Sequence, residues 1–140
     1  MFRPTFALGF AVLLAACGGD DSPNYEISLS TSDRTLNASG RDGAQISISV
    51  QDKNTGDPAP LFDRVIMSCQ DSSGVASGWL GDSATEGQGQ VTLDALGLGS
   101  VTFRCSADPG STYSVQCLAI YEGKTGFLTP LTCASDSDGS

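Results

Sequence analysis

A chain of 140 residues with 39% hydrophobic and 16% charged residues can fill one modest core and not two. Its formal charge of −9, or −10 if Arg3 leaves with a leader, excludes nucleic acid and anionic headgroup surfaces as partners, because both demand a basic face. The sequence contains no histidine, which removes the Ser/His/Asp relay and the commonest zinc ligand.

The chain opens with Arg3 and then "FALGFAVLLAA", eleven apolar or small residues from Phe6 to Ala16. A membrane-spanning helix needs about twenty such residues, so the run has the length of a secretory leader, residues 1–16. Leu14-Ala15-Ala16-Cys17 resembles the bacterial lipobox, in which a cysteine thiol is acylated and a peptidase cuts just before it. That resemblance implies a lipid anchor at Cys17, carried on a flexible tether, residues 17–24. Position 18 is Gly rather than Asp, which by the same resemblance implies the outer membrane, facing periplasm or surface. The plainer reading is an ordinary leader with an incidental cysteine.

Residues 25–133 carry short alternating runs separated by Gly, Pro, Asn and Asp, the pattern of an all-β sandwich. "YEISLST" puts Tyr25, Ile27 and Leu29 on one face, and "AQISISVQD" does the same for Ile46, Ile48 and Val50. "RVIMSCQ" aligns Val65, Met67 and Cys69. The glycine-rich stretch 71–90 reads as a long loop with a brief edge strand, followed by a strand in "QVTLDAL". "SVTFRCSA" aligns Val101, Phe103 and Cys105, and "YSVQCLAIYEG" aligns Tyr113, Val115, Cys117, Ala119 and Tyr121. "GFLTPLTC" is expected to align Phe127, Thr129, Leu131 and Cys133. Turns fall at "SGRDG", "DKNTGDPAP", "DPGS" and "EGKTG", where Gly, Asn and Asp supply positive φ and Pro forbids ladder bonds. The sum is seven or eight antiparallel strands, an immunoglobulin-like sandwich. Residues 134–140 are expected to form a disordered acidic tail.

Once Cys17 is assigned to lipid, Cys69, Cys105, Cys117 and Cys133 form an even set, and an exported chain is expected to pair them. The hairpin at "YEGKT" brings Cys117 near Cys133, which favours Cys117–Cys133 with Cys69–Cys105. Cys69–Cys117 with Cys105–Cys133 is the alternative.

"TLNASGRDGAQISISVQDKNTGDPAP" and "LGLGSVTFRC" resemble bacterial Ig-like domains of the invasin/intimin type, over residues 25 to 128. Leu36, Ala38, Asp42-Gly43, Ile46, Ile48, Val50, Asp52, Asn54, Gly56, Pro58 and Pro60 fall in that family's order. The resemblance implies a spacer or ligand-presenting unit rather than an enzyme. The four cysteines and the glycine-rich insertion depart from the family pattern, and only one unit fits here, where members commonly occur in tandem.

No nucleophile elbow is present, and Lys53 and Lys124 sit in turns rather than in a core, so no catalytic residue is assigned. "DKNTGDPAPLFD" offers Asp52, Asn54 and Asp63 at calcium-loop spacing, but its glycine is one place early and Pro58 and Pro60 interrupt the wrap. Neither a metal nor a cofactor is expected. Asp136 and Asp138 are oxygen donors in a tail. Trp79, the only tryptophan, sits between Gly78 and Gly81 and is the candidate contact residue for a protein or glycan, or else a cap on the sandwich. Tyr25, Tyr113 and Tyr121 are expected in the core with hydroxyls at its rim. The expectation is a monomeric, membrane-anchored interaction module; the rivals are a purely structural envelope component and a calcium- or sugar-binding module using residues 71–90.

Overall fold

The computed structural model describes residues 23–38, 42–106 and 111–135. The leader, Cys17, most of the tether and the tail from residue 136 lie outside the described residues, as do parts of the "SGRDG" and "DPGS" turns. Ten strands follow in chain order: β1 (Tyr25–Thr31), β2 (Thr35–Asn37), β3 (Ala44–Asp52), β4 (Arg64–Asp71), β5 (Trp79–Leu80), β6 (Gln88–Thr92), β7 (Leu98–Arg104), β8 (Tyr113–Tyr121), β9 (Lys124–Phe127) and β10 (Leu131–Ala134). No described helix is long and apolar enough to cross a membrane.

One sheet runs β1-β3-β7-β5. The other runs β2-β10-β8-β4-β6, with β9 also paired to β8. All pairs are antiparallel except β2 with β10, which is parallel. The expected alternating runs are all strands. The count rises to ten because Thr35–Asn37 adds a short strand and the last run is split in two.

Alternation explains the layers. On β3, Ile46, Ile48 and Val50 are buried while Ser47 and Ser49 point outward, because successive side chains leave a strand on opposite faces. Val65, Met67 and Cys69 of β4 and Val115, Cys117 and Ala119 of β8 belong to the same core, with Phe103 its largest fully buried side chain. Burying each large aliphatic side chain contributes roughly 1.5–3 kcal/mol. At the flanks, glycine lets the two sheets meet. A Cβ on Gly126 of β9 would stand 2.8 Å from the Ile27 carbonyl oxygen of β1, and one on Gly99 of β7 would stand 2.6 Å from Val91 of β6. Strands from opposite sheets touch at both places, so a side chain there would wedge the sandwich open.

The β8–β9 hairpin turns on two residues, Glu122 (φ 49°) and Gly123 (φ 77°), both left-handed as a tight hairpin requires. Lys124 faces Tyr121 and Phe127 faces Leu118, yet on β10 Leu131 faces Val115 and Cys133 faces Tyr113. The register therefore slips by one residue between Phe127 and Leu131. Pro130 lies in the slip, where its lack of an N–H costs no ladder bond. An extra residue reverses which side chains face inward. Leu128 is buried and Phe127 and Thr129 are exposed, whereas Leu131 and Cys133 face inward again. The Gln116 side-chain amide donates to the Leu128 carbonyl at the break.

The register corrects two expectations. Phe127 and Thr129 do not share a face with Cys133. The favoured pairing of Cys117 with Cys133 and of Cys69 with Cys105 is replaced by Cys69–Cys117 and Cys105–Cys133. Cys69 and Cys117 are directly opposed on β4 and β8, with Cα atoms 4.0 Å apart. Cys133 lies opposite Tyr113, four residues along β8 from Cys117 and about 13 Å away at strand rise. It reaches across the core to Cys105 at the end of β7, Cα to Cα 5.9 Å, and so joins the two sheets.

Candidate functional site

Strand polarity gives the sandwich two poles. Tyr25, Asp52, Arg64, Thr92 and Tyr121 end their strands at the amino-terminal pole. Asp71, Trp79, Arg104 and Tyr113 lie at the opposite pole, where residues 72–78 connect β4 to β5.

At this second pole, residues 72–78 fold back on β4. The Asp71 carboxylate accepts from Ser73 N (2.9 Å), Ser73 Oγ (2.7 Å) and Val75 N (3.0 Å). The Ser73 hydroxyl first, and the Val75 amide next, hold that carboxyl below its ordinary range. Ser77 N donates to the Cys69 carbonyl, and Gly87 N to the Gly78 carbonyl. Gly78, at φ 91°, lies against the Phe103 ring so closely that any side chain there would collide with it. Gly78 N donates to Ser106 Oγ at 2.8 Å, the Ser106 hydroxyl donates to Glu86, and Tyr113 OH reaches the Ser106 carbonyl at 3.5 Å. Ser106 follows directly on the inter-sheet disulfide at Cys105.

These contacts enclose an open cavity of about 360 Å³ lined by Asp71, Ser77, Glu86, Ser106, Ser111 and Tyr113, with Val75 and Ala76 as its apolar wall. Two carboxylates and four hydroxyls make a set of acceptors and donors suited to hydroxyl- or amide-bearing ligands. A second cavity of about 550 Å³ runs along the open flank between β5 and β6, past Asp82, Ser83, Thr85, Gln88 and Gln90 over Leu80 and Val101.

Trp79 lies on the two-residue edge strand β5, facing Arg104 in the register. Its neighbour Leu80 takes the buried position, so Trp79 is the outward one and is half-buried. The network of Ser106, Glu86 and Gly78 has no signature in the sequence. Ser106 is 20 residues from Glu86 and 28 from Gly78, and it meets them where β5 pairs with the end of β7.

At the amino-terminal pole, the Tyr121 hydroxyl donates to Asp63 Oδ2 at 2.5 Å, and the Tyr25 ring meets Tyr121 edge-on at 5.0 Å. Burial first, then the hydrogen bond to Asp63 and its charge, push the Tyr121 phenol well above its ordinary range. Asp52 accepts from Asn54 N at 2.9 Å in a turn, so the structure puts Asp52 and Asp63 to different uses. Among the described residues no group of three or more Cys, Asp or Glu side chains could hold a metal ion.

No family model matches the chain, and no curated protein matches it. Solved structures do. The chain is similar to the D00-D0 domain of intimin. Identity is 13% and the TM-score 0.53, over 88% of this chain and 54% of that one. The chain thus spans about half the length of its neighbour. The likeness is one of fold, an immunoglobulin-like sandwich of the kind that the invasin/intimin resemblance implied.

Proposed function

We propose that this chain is an exported envelope lipoprotein, acylated at Cys17, that holds one Ig-like module at the outer membrane for non-catalytic contact with a protein or glycan. The observation that carries the reading is the division between poles. The described chain begins at Pro23 at one end, while Trp79 and the hydroxyl-lined cavity around Ser106 and Glu86 lie towards the other. A tether at the first end would leave the second facing outward. Two disulfides support an oxidising, exported setting. Ser106, Glu86 and Asp71 already hydrogen-bond one another or the backbone, an arrangement that presents a shaped surface rather than a poised acid and base.

Two measurements test this. Cys17→Ser should release the chain from the membrane fraction and abolish incorporation of a labelled fatty acid; retention of either refutes the anchor. The purified chain, probed on glycan and envelope-protein panels, should show binding that Trp79→Ala or Glu86→Gln weakens about tenfold or more. Binding untouched by both variants refutes the site. No binding at all would favour the purely structural reading.

A further inference from the structure

The amino-terminal pole carries apolar side chains that the core does not use. Leu61 is 50% exposed, Phe62 73% and Leu96 65%. They are held there by structure rather than left there by disorder. Phe62 N donates to the Leu93 carbonyl (2.9 Å) and Leu93 N to the Asp63 carbonyl (2.8 Å), which ties the two loops together. Asp94 Oδ1 accepts from Leu96 N (2.8 Å) and Leu98 N (3.0 Å), making Leu96 the tip of a closed turn. Phe62 has φ 72°, a left-handed backbone that a bulky residue seldom adopts. A soluble loop has no need to spend that strain on displaying an aromatic ring to water.

The tether enters at the same place. Pro23 and Pro60 line one cavity with Tyr25, Asp63, Tyr121 and Glu122, so Leu61 and Phe62 follow directly on the residue beside the chain's entry. Five residues, Gly18 to Ser22, separate the acylation site at Cys17 from Pro23, and the six Cα-to-Cα steps between them span about 22 Å at most. An anchored chain therefore keeps this pole within that distance of its anchor, close enough for the pole to reach the headgroup layer.

We propose that Leu61, Phe62 and Leu96 insert into the interfacial layer of the membrane that holds the anchor and dock the domain on it by its amino-terminal pole. This rests on the acylation of Cys17. The surface fits zwitterionic phospholipid. Asp52, Asp57, Asp63, Asp94 and Glu122 stand around the tips against Lys53, Arg64 and Lys124, a balance that would repel anionic headgroups while apolar burial is indifferent to salt.

The test uses the full lipidated chain in phosphatidylcholine–phosphatidylethanolamine vesicles, with Trp79→Phe as background and the reporter indole introduced by Phe62→Trp or, independently, by Leu96→Trp. Brominated acyl chains should quench either reporter roughly two- to threefold and leave the native Trp79 of the parent chain unquenched, with no change at high salt. Co-flotation with vesicles is read in the same samples. A chain that floats while both reporters stay open to aqueous iodide overturns docking and spares the anchor. A chain that does not float overturns the anchor, and docking with it.

Discussion

The two poles of this sandwich are held by different chemistry. The pole with the hydroxyl-lined cavity is stapled: Cys69–Cys117 fixes β4 to β8 two residues before β4 ends, and Cys105–Cys133 fixes one sheet to the other beside Ser106. The amino-terminal pole has no disulfide. It is closed by the two-residue turn at Glu122–Gly123, the Asp94 turn, and the bond from Tyr121 to Asp63. Loops that must keep a concave polar surface cannot draw on apolar burial, and the covalent bonds supply the order that packing would otherwise supply. Loops that present apolar tips to a partner phase need only be short.

Four experiments would break or sharpen that contrast. Removing the inter-sheet bridge with Cys105→Ala and Cys133→Ala should cost about 2–5 kcal/mol in denaturant unfolding. Amide exchange should then quicken around residues 72–78 and 106, and not at 94–98; equal quickening at both poles would erase the distinction. Tyr121→Phe should cost about 1–3 kcal/mol, because it strips a hydrogen bond from a carboxylate beneath the β8–β9 turn.

The same variant has a pH signature. With its pKa raised in the fold, Tyr121 contributes stability that is complete below the ordinary tyrosine range and is lost as pH rises past it. A plot of stability against pH should therefore fall in alkali for the parent chain and fall less for Tyr121→Phe. Ser106→Ala should cost about 1 kcal/mol and speed exchange of the Gly78 amide it caps. Smallest on stability, Leu61→Ser with Phe62→Ser should stay within about 0.5 kcal/mol, since neither side chain packs in the core.

Much of the fold was legible in the sequence because period-two alternation is a direct image of one buried face. "AQISISVQD" and "YSVQCLAIY" read without ambiguity. What failed was register. One extra residue near Thr129-Pro130 reverses the parity of everything after it, and Cys133 falls opposite Tyr113, four residues along β8 from Cys117, too far for the expected pairing. Alternation cannot see an insertion inside a run whose residues remain apolar on both sides of it. The candidate site was legible only as the glycine-rich stretch 71–90 around Trp79, which includes Glu86; Ser106 and Tyr113 join it through strand pairing, which no local pattern encodes. The tips were the reverse case. "PLFD" places Leu61 and Phe62 in a turn with no alternating run to bury them, a signal that turn chemistry alone passes over.

The pairing of β1 with β3 has a mechanical consequence. Seven consecutive residue pairs, Tyr25–Asp52 through Thr31–Ile46, run parallel to the line joining the poles. If the chain is tethered through the residues before β1 and tugged at its far end, the load falls along those rungs in shear, so that they must rupture together instead of unzipping singly. A module built this way would withstand a pull between its poles that a domain peeled from one edge would not.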